Sequence, residues 1–169
     1  MKRINKAEAT ALLAREDEVL PSRFQGCFMC AIAAGFPGDV EVLASRPRAV
    51  AVLDRFASRR GHVLVVLRRH EESIAALPWD EYAEVQRLAW EAARAIERTL
   101  RPVRVFVAAL GSAARLPMSF PHHHVHVIPL FDGDERDRPA EVLSWSTGVS
   151  VYEEGEANAL AEALRGAWE

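Results

Sequence analysis

Cysteine is nearly missing from this chain: only Cys27 and Cys30 occur in 169 residues. That excludes a disulfide-stapled scaffold, and a chain of this length buries an adequate core without one. Two cysteines spaced Cys-x-x-Cys instead suggest half of a metal site or a redox pair. Long apolar runs are also missing, so no membrane-spanning helix is expected, and the first twenty residues lack the apolar stretch of a secretory leader. An excess of positive charge is missing too. The formal net charge is −3, which argues against nucleic-acid binding through a general electrostatic footprint, so any phosphate recognition must come from a local cluster of donors. The default expectation is a cytoplasmic protein with no nucleic-acid or membrane partner.

What is present is ordinary in bulk: half the residues are hydrophobic and about a quarter charged, as in a single globular domain. Asn5 with Glu8 reads as a capping box opening a helix over 5–20, closed by Pro21. β-Branched runs and turn residues predict strands near 39–45, 49–54 and 61–68. The clearest helix runs from Asp80 to Leu100, with Val85, Leu88, Ala89, Ala92, Ile96 and Leu100 at helical spacing, Asp80 as its cap and Pro102 as its stop. On that helix Trp90 is expected to be buried. Strands near 103–110 and 122–130 and a last helix near 154–168 complete an α+β reading: a largely antiparallel sheet with a long packed helix.

The informative segment is Phe120-Pro121-His122-His123-His124-Val125-His126-Val127-Ile128-Pro129. In a strand, alternate side chains share a face, which places His122, His124 and His126 together and His123, Val125 and Val127 opposite. Imidazoles titrate near neutrality, so a row of them can divide the roles of base, nucleophile and acid. The other two histidines, His62 and His70, flank the apolar strand Val63–Leu67. So narrow a distribution predicts that the two strands lie side by side.

These blocks resemble the histidine-triad superfamily of nucleotidyl hydrolases and transferases. The resemblance rests on Cys27-Phe28-Met29-Cys30-Ala31-Ile32, on Val52-Leu53-Asp54 through Gly61-His62-Val63 to Arg69-His70, and on His122 to Pro129. It implies a histidine-triad-like domain over 27–130, with an extension over 1–26 and a C-terminal extension with a helix over 131–169. It also implies a homodimer and two-step cleavage of a nucleoside monophosphate linkage, a phosphoanhydride or phosphoramidate, as in a dinucleoside polyphosphate. His124 matches the nucleophile that becomes nucleotidylated, His126 and His122 its flanking partners, and His62 the histidine completing the cluster. Asp54 matches the residue that holds the ribose hydroxyls. Gly111, Ser112 and Ser119, with the cation Arg115, are candidate phosphate donors. Ala109 and Met118 stand near positions where the family often has amide side chains, and His123 where it usually has an apolar residue.

Cys27, Cys30, His70 and His122 form a sensible tetrahedral set for structural zinc, and the resemblance implies zinc at the matching positions. Two rival readings stand beside the enzyme: a zinc-stabilised nucleotide-binding module with little catalysis, and a metalloenzyme in which His122, His124 and His126 hold a catalytic ion. Arg59-Arg60 and Arg68-Arg69 are candidate polyphosphate contacts. The segment Trp145 to Gly148 is a candidate for approach to a partner subunit's site.

Overall fold

The computed structural model describes residues 1–24, 26–111, 120–133 and 137–168. Strand β1 (Lys2–Ile4) leads into helix α1 (Lys6–Glu18), where the Asn5 side chain accepts from the Glu8 amide and Glu8 accepts from the Asn5 amide. Helix α2 (Phe28–Ala33) follows, then strands β2 (Val42–Ser45), β3 (Ala49–Leu53) and β4 (Val63–Leu67). The long helix α3 (Trp79–Leu100) precedes strands β5 (Arg104–Ala108) and β6 (His124–Leu130). Helix α4 (Pro139–Ser144), strand β7 (Val149–Val151) and helix α5 (Glu156–Gly166) close the chain.

The main sheet has five strands in the order β2-β3-β4-β6-β5, every neighbour antiparallel. Strands β3 and β4 are buried along their whole length, because both faces of the sheet are covered. On one face Ala51, Leu53, Val63, Val65, Val125 and Val127 pack under Leu88, Ala92 and Ile96 of α3 and Leu160 and Leu164 of α5. On the other, Val50, Val52, Leu64 and Val66 pack against Phe28, Met29 and Ile32 of α2. The period-2 alternation of β3 and β4 thus divides two cores, and the second one floors the site.

The α+β expectation and its main elements hold, with instructive differences. Helix α3 starts on Pro78, which makes no side-chain cap; Asp80 sits inside the first turn and pairs with Arg48. Its carboxylate still complements the positive end of the helix dipole. Trp90 is 56 % exposed, not buried. It falls between the inward-facing Leu88, Ala89 and Ala92, and its ring lies under the Arg94 guanidinium one turn on.

Strands β1 and β7, too short for a periodic signal, pair with each other over three residues. Gly148 permits this junction: its φ is +82°, and a Cβ there would strike the Ile4 carbonyl.

The C-terminal end is anchored on a buried acid. Glu91 is 2 % exposed; it accepts from Trp168 Nε1 at 3.2 Å and from Arg87 at 3.1 Å, and it pairs with Arg46 at 3.3 Å. Glu91→Ala would release the terminal tryptophan and both guanidinium groups at once. The expected cost is about 2 kcal/mol, read as a fall of roughly 4–8 °C in the thermal midpoint; an unchanged midpoint would show that the tail is not held there.

Candidate functional site

Strand β6 pairs with β4 through Leu64↔His126 and Val66↔His124, so the two histidine groups meet as the sequence predicts. Register and parity place His124 and His126 on the α2 side of the sheet. His123 faces α3, its ring 6.4 Å from that of Tyr82. His122 lies before the strand begins, in a bend, and its ring reaches the cysteines instead of standing beside His124.

His124 Nδ1 lies 2.7 Å from the His122 carbonyl. A carbonyl only accepts, so Nδ1 carries the proton and Nε2 holds a free lone pair. Beside it, 4.9 Å between ring centroids, His126 turns its Nδ1 to His62 Nε2 at 3.1 Å. His62 Nδ1 lies 2.9 Å from Asp54 Oδ2 and 3.3 Å from the Ser58 amide. Its proton goes to the carboxylate, the shorter and charge-assisted contact. Asp54 Oδ1 accepts from the Phe56 amide at 3.0 Å. A continuous line runs Asp54–His62–His126, ending beside His124.

Burial pushes the Asp54 carboxyl up, but His62, through charge and hydrogen bond, and the Phe56 amide outweigh it and hold the group below the usual carboxylate range. Burial lowers His124, opposed by the bond to the His122 carbonyl. Burial also takes His126 well below its ordinary value, helped by repulsion from His62 and His124. His123 is lowered by burial and by His124, and its buried Nε2 has no hydrogen-bond partner among the described residues.

Rings depressed in this way stay neutral in the folded chain, while the unfolded chain takes up protons below about pH 6.5. The unfolded state then binds more protons, so stability rises with pH across that window. In the presence of a chelator, the thermal midpoint is expected to be level above pH 7 and to fall as the pH drops from 6.5 toward 5. A midpoint that rises on acidification would show these rings to be charged in the fold.

His124, His126 and Asp54 open on a cavity of about 430 Å³. Its walls are mainly apolar, with Phe28, Ile32, Val52 and Leu64 from the second core and Phe120, Leu110 and Gly111 from the strands' far ends. A planar apolar group fits such walls, and the histidines supply the few convergent polar atoms. Of the expected phosphate donors, Gly111 lines the cavity, whereas Ser112, Arg115 and Ser119, with Met118, lie outside the described residues. Ala109 is exposed.

Three of the four paired arginines have other duties, and Arg60 lines a different cavity, with Tyr152 and Glu156. Arg59 binds Asp137 at 3.1 Å, Arg68 binds the Arg46 and Ala33 carbonyls and Ser45, and Arg69 binds Glu81 and Glu71. Trp145, in the segment that the sequence offers as a candidate for a partner's site, lines the cavity of its own chain. Lys6 and Leu13 of α1 line it as well, and nothing in their sequence spacing signals this.

The thiols lie next door. Cys27 caps α2, its Sγ accepting from the Cys30 amide, so the Cys-x-x-Cys motif does open a helix, but the element just before it is a 3-10 turn (Ser22–Phe24) and not a strand. His122 Nδ1 is 3.3 Å from Cys27 Sγ and 3.4 Å from Cys30 Sγ, and His70 Nδ1 is 3.5 Å from Cys30 Sγ. The four ligand atoms lie within 4.8 Å of one another. Tetrahedral zinc with sulfur and nitrogen ligands sets edges of about 3.5 Å, so this donor set fits the ion in chemistry and spacing. Burial, then the neighbouring Cys27, pushes the Cys30 thiol up to about 12, a crowding that a bound cation would relieve. His122 Nε2 donates to the Leu67 carbonyl at 2.7 Å, which leaves Nδ1 as the ligand atom and fixes the ring. Burial lowers this imidazole to about 4. Because the His122 ring is held here, His122, His124 and His126 do not converge on one ion, and the catalytic-metal reading fails on geometry.

Comparison with known proteins adds four findings. The HIT domain family model matches residues 38–133. An HIT-like protein of Mycobacterium tuberculosis is 28% identical over 139 residues, covering 82% of this chain and 90% of the relative. Among solved structures, a Zn-bound histidine triad family protein from Mycobacterium smegmatis superposes with a TM-score of 0.63 at 23% identity, over 83% of this chain and 91% of that one. A hypothetical histidine triad nucleotide-binding protein from Sulfolobus tokodaii gives 0.66 at 20% identity, over 83% and 91%.

Proposed function

Since the chain belongs to the histidine-triad (HIT) family, we propose that it binds a nucleotide in the apolar cavity and cleaves a phosphoanhydride or phosphoramidate linkage through a covalent nucleotidyl-His124 intermediate. One observation carries the reading. The His122 carbonyl occupies Nδ1 of His124, so a neutral ring borders the cavity with its Nε2 lone pair free.

In the first step Nε2 attacks phosphorus in line, a P–N bond forms, and the bond to the leaving group breaks with its electron pair on the departing atom. His126, neutral, gives that atom the proton on its Nε2 and takes one at Nδ1 from His62 across their 3.1 Å contact, while the Asp54 carboxylate stabilises the charge at the far end of the line. In the second step water attacks phosphorus, His126 takes the water's proton, and the P–N bond breaks to return neutral His124. His122 takes part through its backbone carbonyl. A carboxylate has about four lone-pair sites; His62 and Phe56 engage two of those on Asp54, so the same side chain serves a ribose hydroxyl.

Cys27, Cys30, His70 and His122 would hold zinc, which with four protein ligands supplies a structural crosslink rather than an open Lewis-acid site. A homodimer is supported by β5, an edge strand of the sheet with Val103 and Val107 exposed, the kind of edge that a second copy covers; light scattering in solution tests this. The enzymatic reading is tested by acid-quenching the protein with a nucleotide substrate and mapping its mass by peptide. A nucleotidyl adduct on His124 is expected. Nucleotide binding with no adduct at any time point would favour a zinc-stabilised binding module instead.

A further inference from the structure

One wall of the cavity is built by chain outside the family-matched segment. Helix α1 contributes Lys6 and Leu13, and the end of α4 contributes Leu143, Ser144 and Trp145. Neither piece is placed by a large core of its own. Ala9 is the buried residue of α1, which is held at its ends by the capping box, by the β1–β7 pairing and by Arg55–Glu16 at 2.9 Å. Trp145 takes a left-handed backbone, φ 57°, unusual for a bulky residue, and rests its ring on Phe56 at 5.9 Å. The α1 segment and the Trp145 turn share one small apolar cluster of Ile4, Ala9, Phe56 and Val149, with Leu13 and Trp145 against it.

The charges on this wall do not balance internally. The cations in the lining are Lys6 and Arg55. Arg55 is met by Glu16 and by Asp39 at 3.3 Å, and Asp54 is turned to His62. Among the described residues Lys6 has no ion-pair partner, and it opens the first turn of α1. A helix start carries positive partial charge, where a cation is unfavourable and an anion welcome. The Asn5–Glu8 capping box already serves the helix end, so folding gives no reason for a cation here, and a ligand anion in the cavity would meet the ammonium.

We propose that Lys6 binds a second anionic group of the substrate, one on the leaving group beyond the phosphorus that His124 attacks. This rests on the functional reading above and narrows it: the preferred substrates release a polyphosphate or other anion, as a dinucleoside polyphosphate does, rather than a neutral amine. The terminal segments thereby set specificity, while the family segment supplies the chemistry.

The test is selectivity. kcat/KM is measured for a dinucleoside tetraphosphate and for a 5′-phosphoramidate of the same nucleoside, with the wild type, Lys6→Gln and Lys6→Arg. The ratio of the two values is expected to fall about tenfold in Lys6→Gln, the weight of one charge-assisted contact, and to be restored in Lys6→Arg. Lys6 is exposed, so both variants should melt with the wild type. An unchanged ratio in Lys6→Gln, with the His124 adduct still forming, overturns the role of Lys6 and leaves the functional reading intact. Failure of the wild type to form an adduct with either substrate overturns both.

Discussion

His124→Ala is expected to reduce turnover by roughly 10⁴-fold or more, the scale set by loss of a covalent nucleophile. Among the described residues, nothing else in the cavity replaces what is lost. His126 sits beside it, but its Nδ1 is engaged with His62, and its place at the end of the Asp54 line suits it to proton transfer. Removing His126 should accordingly cost less, about 10²- to 10⁴-fold, the range for a general acid–base. The fold should tolerate His124→Ala. The His122 carbonyl would lose its donor, but beside an open cavity water can replace it, so the melting curve should stay close to the wild type. Turnover within tenfold of the wild type would remove His124 from the chemistry.

Metal removal should produce the second large effect, and on stability. With zinc at about 1,000 times its dissociation constant, binding to the folded state alone contributes about 4 kcal/mol. For a chain of this size each kcal/mol moves the midpoint by roughly 2–4 °C, so chelation should lower it by about 8–16 °C. Cys27→Ser should show the same drop and no further response to chelator. The effect should also reach the site, because His122 bridges the two: its ring lies among the thiols and its carbonyl orients His124. Chelation is expected to lower kcat as well as the midpoint. A midpoint insensitive to chelator would leave the thiols as a reduced pair packed beside Phe28 and Met29.

Most of the site was legible because it rests on strand periodicity. Alternation alone placed His124 and His126 on one face, and the narrow distribution of histidines predicted that β4 and β6 are neighbours. The metal set was legible from donor chemistry, and its four members do converge. Periodicity failed where the chain leaves regular structure. His122 shares the parity of the strand but precedes it, so its ring turns to the thiols and only its backbone serves His124. The line from Asp54 through His62 to His126 depends on register across β4 and β6, which no single segment displays. Trp90 misled because a helix rich in core positions still has an outer face. Lys6 gave no signal and Trp145 was read only as a candidate for a partner's site, since their place at the cavity follows from pairing between β1 and β7, strands too short to show a pattern.

The central claim is that phosphorus is displaced twice, first by His124 and then by water. It is tested most directly by the stereochemistry of cleavage of a substrate made chiral at the attacked phosphorus by sulfur and an oxygen isotope. Two in-line displacements predict net retention of configuration. Net inversion would mean a single direct attack by water and would contradict the account.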